Sequence, residues 1–175
     1  MTLSAALGDV RVHDHCEAQL AMIAFAAGQI AQAIHCARRA VEASRRHGIL
    51  IAELQAVHWL AAFLILENQI QPGRAAALRA FELSRALGNL NLPGLLYQLA
   101  LIRATRGETD AAARLAGFAD VYAEQHQLGP DIAVAIRNRL VERLQDAMGL
   151  EECQAAMTAG AAWSEQEAVA VAEAA

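Results

Sequence analysis

The stretch from Ala33 to Gly48, AIHCARRAVEASRRHG, is written a second time between Gly73 and Gly88 as GRAAALRAFELSRALG. Ala40 returns as Ala80, Glu42 as Glu82, Ser44 as Ser84, Arg45 as Arg85 and Gly48 as Gly88, and a looser third copy runs from Ala112 to Gly129. A recurrence of about 40 residues is the length of a helical hairpin that cannot bury its own apolar side, so successive copies must stack. The composition agrees. Hydrophobic residues make up 56% of the chain but aromatic ones only 5%, so the apolar character is mostly Ala and Leu, which favour helices and fill strands poorly. At 175 residues the chain has room for one domain with its own core. The fold class expected is all-α.

Glycines and helical spacing divide the chain further. Residues 1–11 read as a lead-in with little periodicity. The first hairpin (12–48) has a leading helix from about Val12 to Ala27, with Leu20, Ile23, Ala24 and Ala27 at helical spacing. Gly28 stops it, and a trailing helix runs from about Gln29 to Arg46 and is closed by Gly48, a residue suited to a left-handed cap. The second hairpin (49–88) has helices from about Ile51 to Leu66 and Gly73 to Leu87, with a turn from Asn68 to Pro72. The third (89–129) has helices from about Pro93 to Arg106 and Thr109 to His126, turning at Gly107. Counted from the turns, Leu20, Leu60 and Leu99 correspond, each followed by Ala. In the trailing helices Ala33, Gly73 and Ala112 match, as do Ala40, Ala80 and Ala119. Small residues at fixed places let two backbones approach closely, while Leu fills the space between layers.

Leu then a small residue in the first helix, Gly at the turn and two Ala seven apart in the second resemble the tetratricopeptide repeat (TPR), with a period longer than the usual 34 or so of that family. The resemblance covers roughly Val12 to Gly129. It implies a right-handed α-solenoid whose leading helices line a concave groove. Carried over position by position, the lining residues are His15, Met22 and Phe25 in the first hairpin, Gln55, His58, Ala62 and Ile65 in the second, and Tyr97, Leu101 and Thr105 in the third. This wall is apolar and aromatic. Without the Lys and Asn set by which some TPR grooves clamp a terminal carboxylate, it fits an amphipathic helix or apolar peptide better. The alternative is that these side chains pack against neighbouring repeats or another copy of the chain. Trp59 is expected in the core.

After Gly129 the text changes. Gly129–Pro130, a charged helix with Arg137, Glu142 and Arg143, then Met148, Gly149 and Glu151, the A-x-x-x-G of Ala156 to Gly160, and Ser164 followed by Glu167 succeed one another. This order resembles the extreme C-terminus of bacterial STAND-class signal-transduction ATPases and adenylate-cyclase-associated regulators, in which TPR-like arrays act as sensor and scaffold. Three helices are expected in 130–175, to about Met148, from Leu150 to about Ala159, and after Ser164 behind a capping box. Together they form a helical cap. The family's nucleotide site is missing, since no G-x-x-x-x-G-K-[ST] motif exists in a chain whose 14 cationic residues are all Arg.

Other functions fail on chemistry. A net charge of −5 opposes the phosphate attraction behind nucleic-acid binding. The most apolar window, Ala56 to Leu66, is too short to span a bilayer and is bracketed by Glu53 and Glu67. With no secretory leader visible, a cytoplasmic location is expected. His13, His15 and Cys16, with His35 and Cys36, could offer Zn²⁺ ligands, but at no recognised metal spacing, so neither metal nor cofactor is expected. There is no G-x-S-x-G, and Ser44 and Ser84 read as exposed helix residues beside Arg, so no enzyme activity is expected. Arg38, Arg39, Arg45 and Arg46 read as a solvated face paired to Glu42, with Glu82 near Arg79 and Arg85. The function expected is a non-enzymatic protein-interaction or sensor module of a bacterial signalling regulator. Its alternatives are self-assembly as a homodimer through the first hairpin, or a small-molecule effector domain.

Overall fold

The computed structural model describes the backbone of residues 10–126 and 131–175 and the side chains of residues 17–125 and 132–175. Among these, nine helices and no strand occur: α1 (Val10–Ala26), α2 (Ile30–His47), α3 (Leu50–Leu66), α4 (Ile70–Ala86), α5 (Leu92–Thr105), α6 (Thr109–His126), α7 (Asp131–Met148), α8 (Leu150–Ala161) and α9 (Glu165–Glu173). The chain is all-α, as its Ala and Leu content requires. Helices α1 to α5 and α7 stop where the sequence supplies a residue that tolerates positive φ. Gly28, Gly48, Gly88, Gly107 and Gly149 all adopt it, and Asn68, Asn89 and Asn91 do so at φ of 58°, 65° and 61°. Gly48 shows the mechanism, its N–H and that of Ile49 reaching back to the Arg45 and Ser44 carbonyls that the end of α2 leaves unpaired.

The helices form two compact units that divide between Leu87 and Gly88. In the first, α1 packs on α2, α2 on α3 and α3 on α4, and α1 also touches α3. Its frame is made of small side chains. Ala21 and Ala61 in the leading helices, and Ala33, Gly73, Ala40 and Ala80 in the trailing ones, are all buried at matched positions of the two hairpins. Gly73 lies inside α4 rather than at its start, because the turn closes early at Asn68 and the helix resumes at Ile70. A Cβ on Gly73 would stand 2.8 Å from Ile65 Cγ1 of α3, so the glycine is there for close approach. Pro72 falls in the first turn of α4, where its missing N–H removes no helical hydrogen bond.

Two expectations for this unit need correction. Ser44 and Ser84 are buried rather than exposed; the Ser44 hydroxyl donates to the Val41 carbonyl at 3.1 Å, which satisfies it inside the core. The arginines are exposed, but their described ion pairs run mostly across helices. Arg39 of α2 bonds Glu17 of α1 at 2.6 Å. Arg45 of α2 and Arg79 of α4 converge on Glu53 of α3, at 2.9 and 3.2 Å. Burial pushes the Glu53 carboxyl up, but the hydrogen bonds from Arg45 and Arg79 outweigh it and hold the carboxyl below its usual range. Along a single helix, Arg79 also pairs with Glu82 at 3.4 Å.

In the second unit α5 and α6 form a hairpin, α7 packs on both, α8 lies mainly against α6, and α9 rests on α5 and α6. Helices α7 and α8 are thus built into the body of this unit, with α9 resting on it. Helices α6 and α8 approach each other closely, backbone to backbone. A Cβ on Gly117 would overlap the Met157 carbonyl, and a Cβ on Gly160 would overlap that of Arg114. Each glycine therefore faces the carbonyl three residues before the other. Ala113, Ala116 and Ala156 are buried around them, so the A-x-x-x-G seen in the sequence marks a helix crossing.

Candidate functional site

From Ala18 to Ala26 helix α1 is apolar except for Gln19, and α2 and α3 cover only part of this stretch. Ala18, Ala21 and Ala24 are buried, whereas Leu20 is 49% and Ile23 63% exposed one turn apart. Of the residues at helical spacing, Ala24 is buried whereas Leu20, Ile23 and Ala27 point outward, so the buried face is the alanine one. At the other edge of the buried face Met22 and Phe25 are half-exposed. The Phe25 ring sits 5.3 Å from that of buried Phe63, tilted by 33°, which anchors it while leaving an edge open. Gln55 of α3 is also half-exposed.

The other expected groove residues sit deeper. His58 is 2% exposed, and Ile65 and Ala62 are fully packed in the first unit. Burial pushes the His58 imidazole down to about 4, so it is neutral at ordinary pH. Leu101 is buried in the second unit, and Thr105 is half-buried, its hydroxyl donating to the Ile102 carbonyl at 2.6 Å. His15 lies outside the residues whose side chains are described. Of the eight principal candidates, the described side chains with open surface are thus Met22, Phe25 and Gln55.

Tyr97 has a different role from the one expected of a groove aromatic. It is buried, and its hydroxyl donates to Asp120 Oδ1 of α6 at 2.7 Å. Arg137 of α7 closes the arrangement with two 2.7 Å bonds, Nε to Oδ1 and Nη2 to Oδ2. One carboxylate thus ties three helices together. Burial and then the Asp120 hydrogen bond raise the Tyr97 hydroxyl above its usual range, so it stays protonated. A cleft of about 270 Å³ opens beside this triad, walled by Ala123, Ala133 and half-exposed Val134. A second cleft, of about 520 Å³, lies between the α5–α6 turn and α7, where Arg139 and Arg143 alternate with Glu142 and Asp146. Its charges are balanced, which favours neither an anion nor a cation.

Among the described residues, no three His, Cys, Asp or Glu side chains are grouped to hold a metal ion; His13, His15 and Cys16 fall outside that description. Cys36 and Cys153 are buried free thiols, and burial raises that of Cys153. No helix among the described residues is long and apolar enough to cross a membrane. Sequence reasoning missed the Glu53 bridge and the Asp120–Arg137 pair. The first had a signal, since Glu53 is the lone acid in the helix LIAELQAVHWLAAFLIL. The second had none, because a pair between side chains on two different helices leaves no trace in local spacing. Compared with protein-family models, curated proteins and solved structures, the chain finds no match.

Proposed function

We propose that the chain is a non-enzymatic interaction or sensor module, a right-handed solenoid of lengthened TPR-like hairpins that binds an amphipathic helix or apolar peptide. What carries this reading is the open apolar face of α1, with Leu20 and Ile23 outward and Met22 and Phe25 on the opposite rim. A stretch of helix as apolar as 20–26 is normally covered on all sides. Covering the exposed halves of Leu20 and Ile23 would contribute on the order of 2 kcal/mol, an anchor for a partner rather than a whole interface. The order of motifs from Gly129 to Ala172, which resembles the C-terminal region of STAND-class regulators, supports a place in bacterial signalling and a cytoplasmic setting.

The same face favours a second reading, in which the partner is another copy of this chain. Ile23→Glu, with native mass spectrometry and affinity capture from a bacterial extract, tests both. A wild-type dimer that the substitution dissociates assigns the face to self-assembly; a wild-type monomer whose captured protein is lost on substitution assigns it to a partner. Capture and mass unchanged by Ile23→Glu would refute both. Tyr97 and His58 are unsuitable for this test because they are buried, and their replacement reads folding.

A further inference from the structure

The second unit holds a helix that is attached differently from all its neighbours. Helix α9 begins on its own capping box, with the Glu167 N–H donating to Ser164 Oγ at 3.3 Å and the Ser164 N–H to Glu167 Oε2 at 2.8 Å. It therefore carries its own start signal and borrows none from the body. The buried side chains of α9 and the residues that follow it are Ala168, Val169, Ala172 and Ala175, all small. Its remaining described attachments are polar and sit near its two ends. Asn89 Nδ2 donates to Glu165 Oε1 at 2.6 Å. At the far end Arg103 of α5 donates to the Val171 carbonyl, through Nη2 at 2.6 Å and Nε at 3.2 Å. That carbonyl belongs to the last turn, whose oxygens lack helical partners and attract a cation.

Arg103 is buried and is also paired with Glu108. Its charge stays compensated if α9 leaves, and the opened site gains water for the freed guanidinium N–H groups. Ala and Val leave no large hole when withdrawn. This is the opposite of the α6–α8 crossing, where backbone meets backbone. A nine-residue helix is also too short to hold its shape alone in water, so docking and folding of α9 are one event.

We propose that the surface of α5 and α6 beneath α9 is a helix-binding site, filled in cis by α9 as a detachable latch. The partner it fits is a short Ala/Val-rich helix with an acidic first turn for Asn89, small residues at the spacing of 168, 169 and 172, and a last-turn carbonyl within reach of Arg103. This rests on the reading of the chain as a helix-binding module and adds a second site, in the other unit, regulated by the chain itself.

Hydrogen exchange on the wild-type full chain is the first test. Amides of 168–173 should exchange at least about tenfold faster than those in the middle of α5 and α6, because α9 opens locally; equal rates would overturn the proposal. The second uses full-length Ala168→Glu/Ala172→Glu, which unlatches α9, titrated with a fluorescein-labelled peptide of residues 163–175. Binding should be one to one, at least about tenfold tighter than to the wild type, and lost when Arg103→Met is added. A folded double variant that ignores the peptide overturns the proposal, as does one whose α5 and α6 lose protection, since α9 would then be part of the core. Protection of α9 that rises with protein concentration would assign the site to a second copy and overturn the partner assignment. Failure here leaves the Ile23→Glu result untouched, so the two readings fail separately.

Discussion

Lowering the pH should unfold the first unit through His58. The imidazole is buried in α3, and burial holds it near 4, against about 6.5 in an unfolded chain. Its folded-state value is depressed, so the neutral form is favoured by folding. The associated stability is complete above about pH 6.5 and is lost as the pH falls towards 4. The full difference corresponds to about 3 kcal/mol, most of which is gone by pH 4.5. That is a large part of the stability of a unit this size. The perturbation is His58→Gln, which keeps a polar side chain but does not titrate. With Trp163→Phe in the background, buried Trp59, also in α3, is the sole tryptophan reporter of this unit. Urea unfolding followed by Trp59 fluorescence between pH 7.5 and 4.5 should show the parent losing about 2 kcal/mol more than the Gln variant. Equal slopes for the two proteins would refute the argument, since His58 would then titrate alike in folded and unfolded chains.

Gly117→Ala and Gly160→Ala should each destabilise the second unit by about 3 kcal/mol or more, because the new Cβ forces α6 and α8 apart; thermal melts of the single variants check this. Glu53→Gln should cost about 2 kcal/mol by weakening the bonds from Arg45 and Arg79, read by the same Trp59 fluorescence at neutral pH. Tyr97→Phe should cost about 1 kcal/mol through the lost bond to Asp120, with the second unit still folded by circular dichroism. Ile23→Glu should leave stability within about 0.5 kcal/mol, since the side chain is already in solvent; a large loss in a melt would mean that the α1 face is covered within the chain.

How much could be read in advance depended on how local the signal was. Helix ends marked by Gly48, Gly107 and Gly149 were legible because a left-handed residue acts on its own turn. So were the small positions Ala40, Ala80 and Ala119, which repetition singled out and which are buried in all three copies. The corresponding leucines were not, for Leu20 is half-exposed, Leu60 half-buried and Leu99 fully buried. The same residue type at the same repeat position meets different neighbours, and periodicity carries no information about neighbours. The groove expectation erred for a related reason. It transferred exposure from a family pattern, whereas the deep burial of His58 and Ile65 follows from how α3 is surrounded. Ser44 shows the limit of reading polarity as exposure, because a hydroxyl that can bond its own helix is at home in a core.

The reciprocal glycines of α6 and α8 have a mechanical meaning. With no side chain between the two backbones, there is no soft layer in which one helix could roll or slide against the other. The pair behaves as a single beam. A pull on α9 travels through residues 162–164 and stops at Gly160, because the next element cannot yield without carrying α6 with it. The stiffness of the crossing is what would let the last short helix come and go while the rest of the unit keeps its shape.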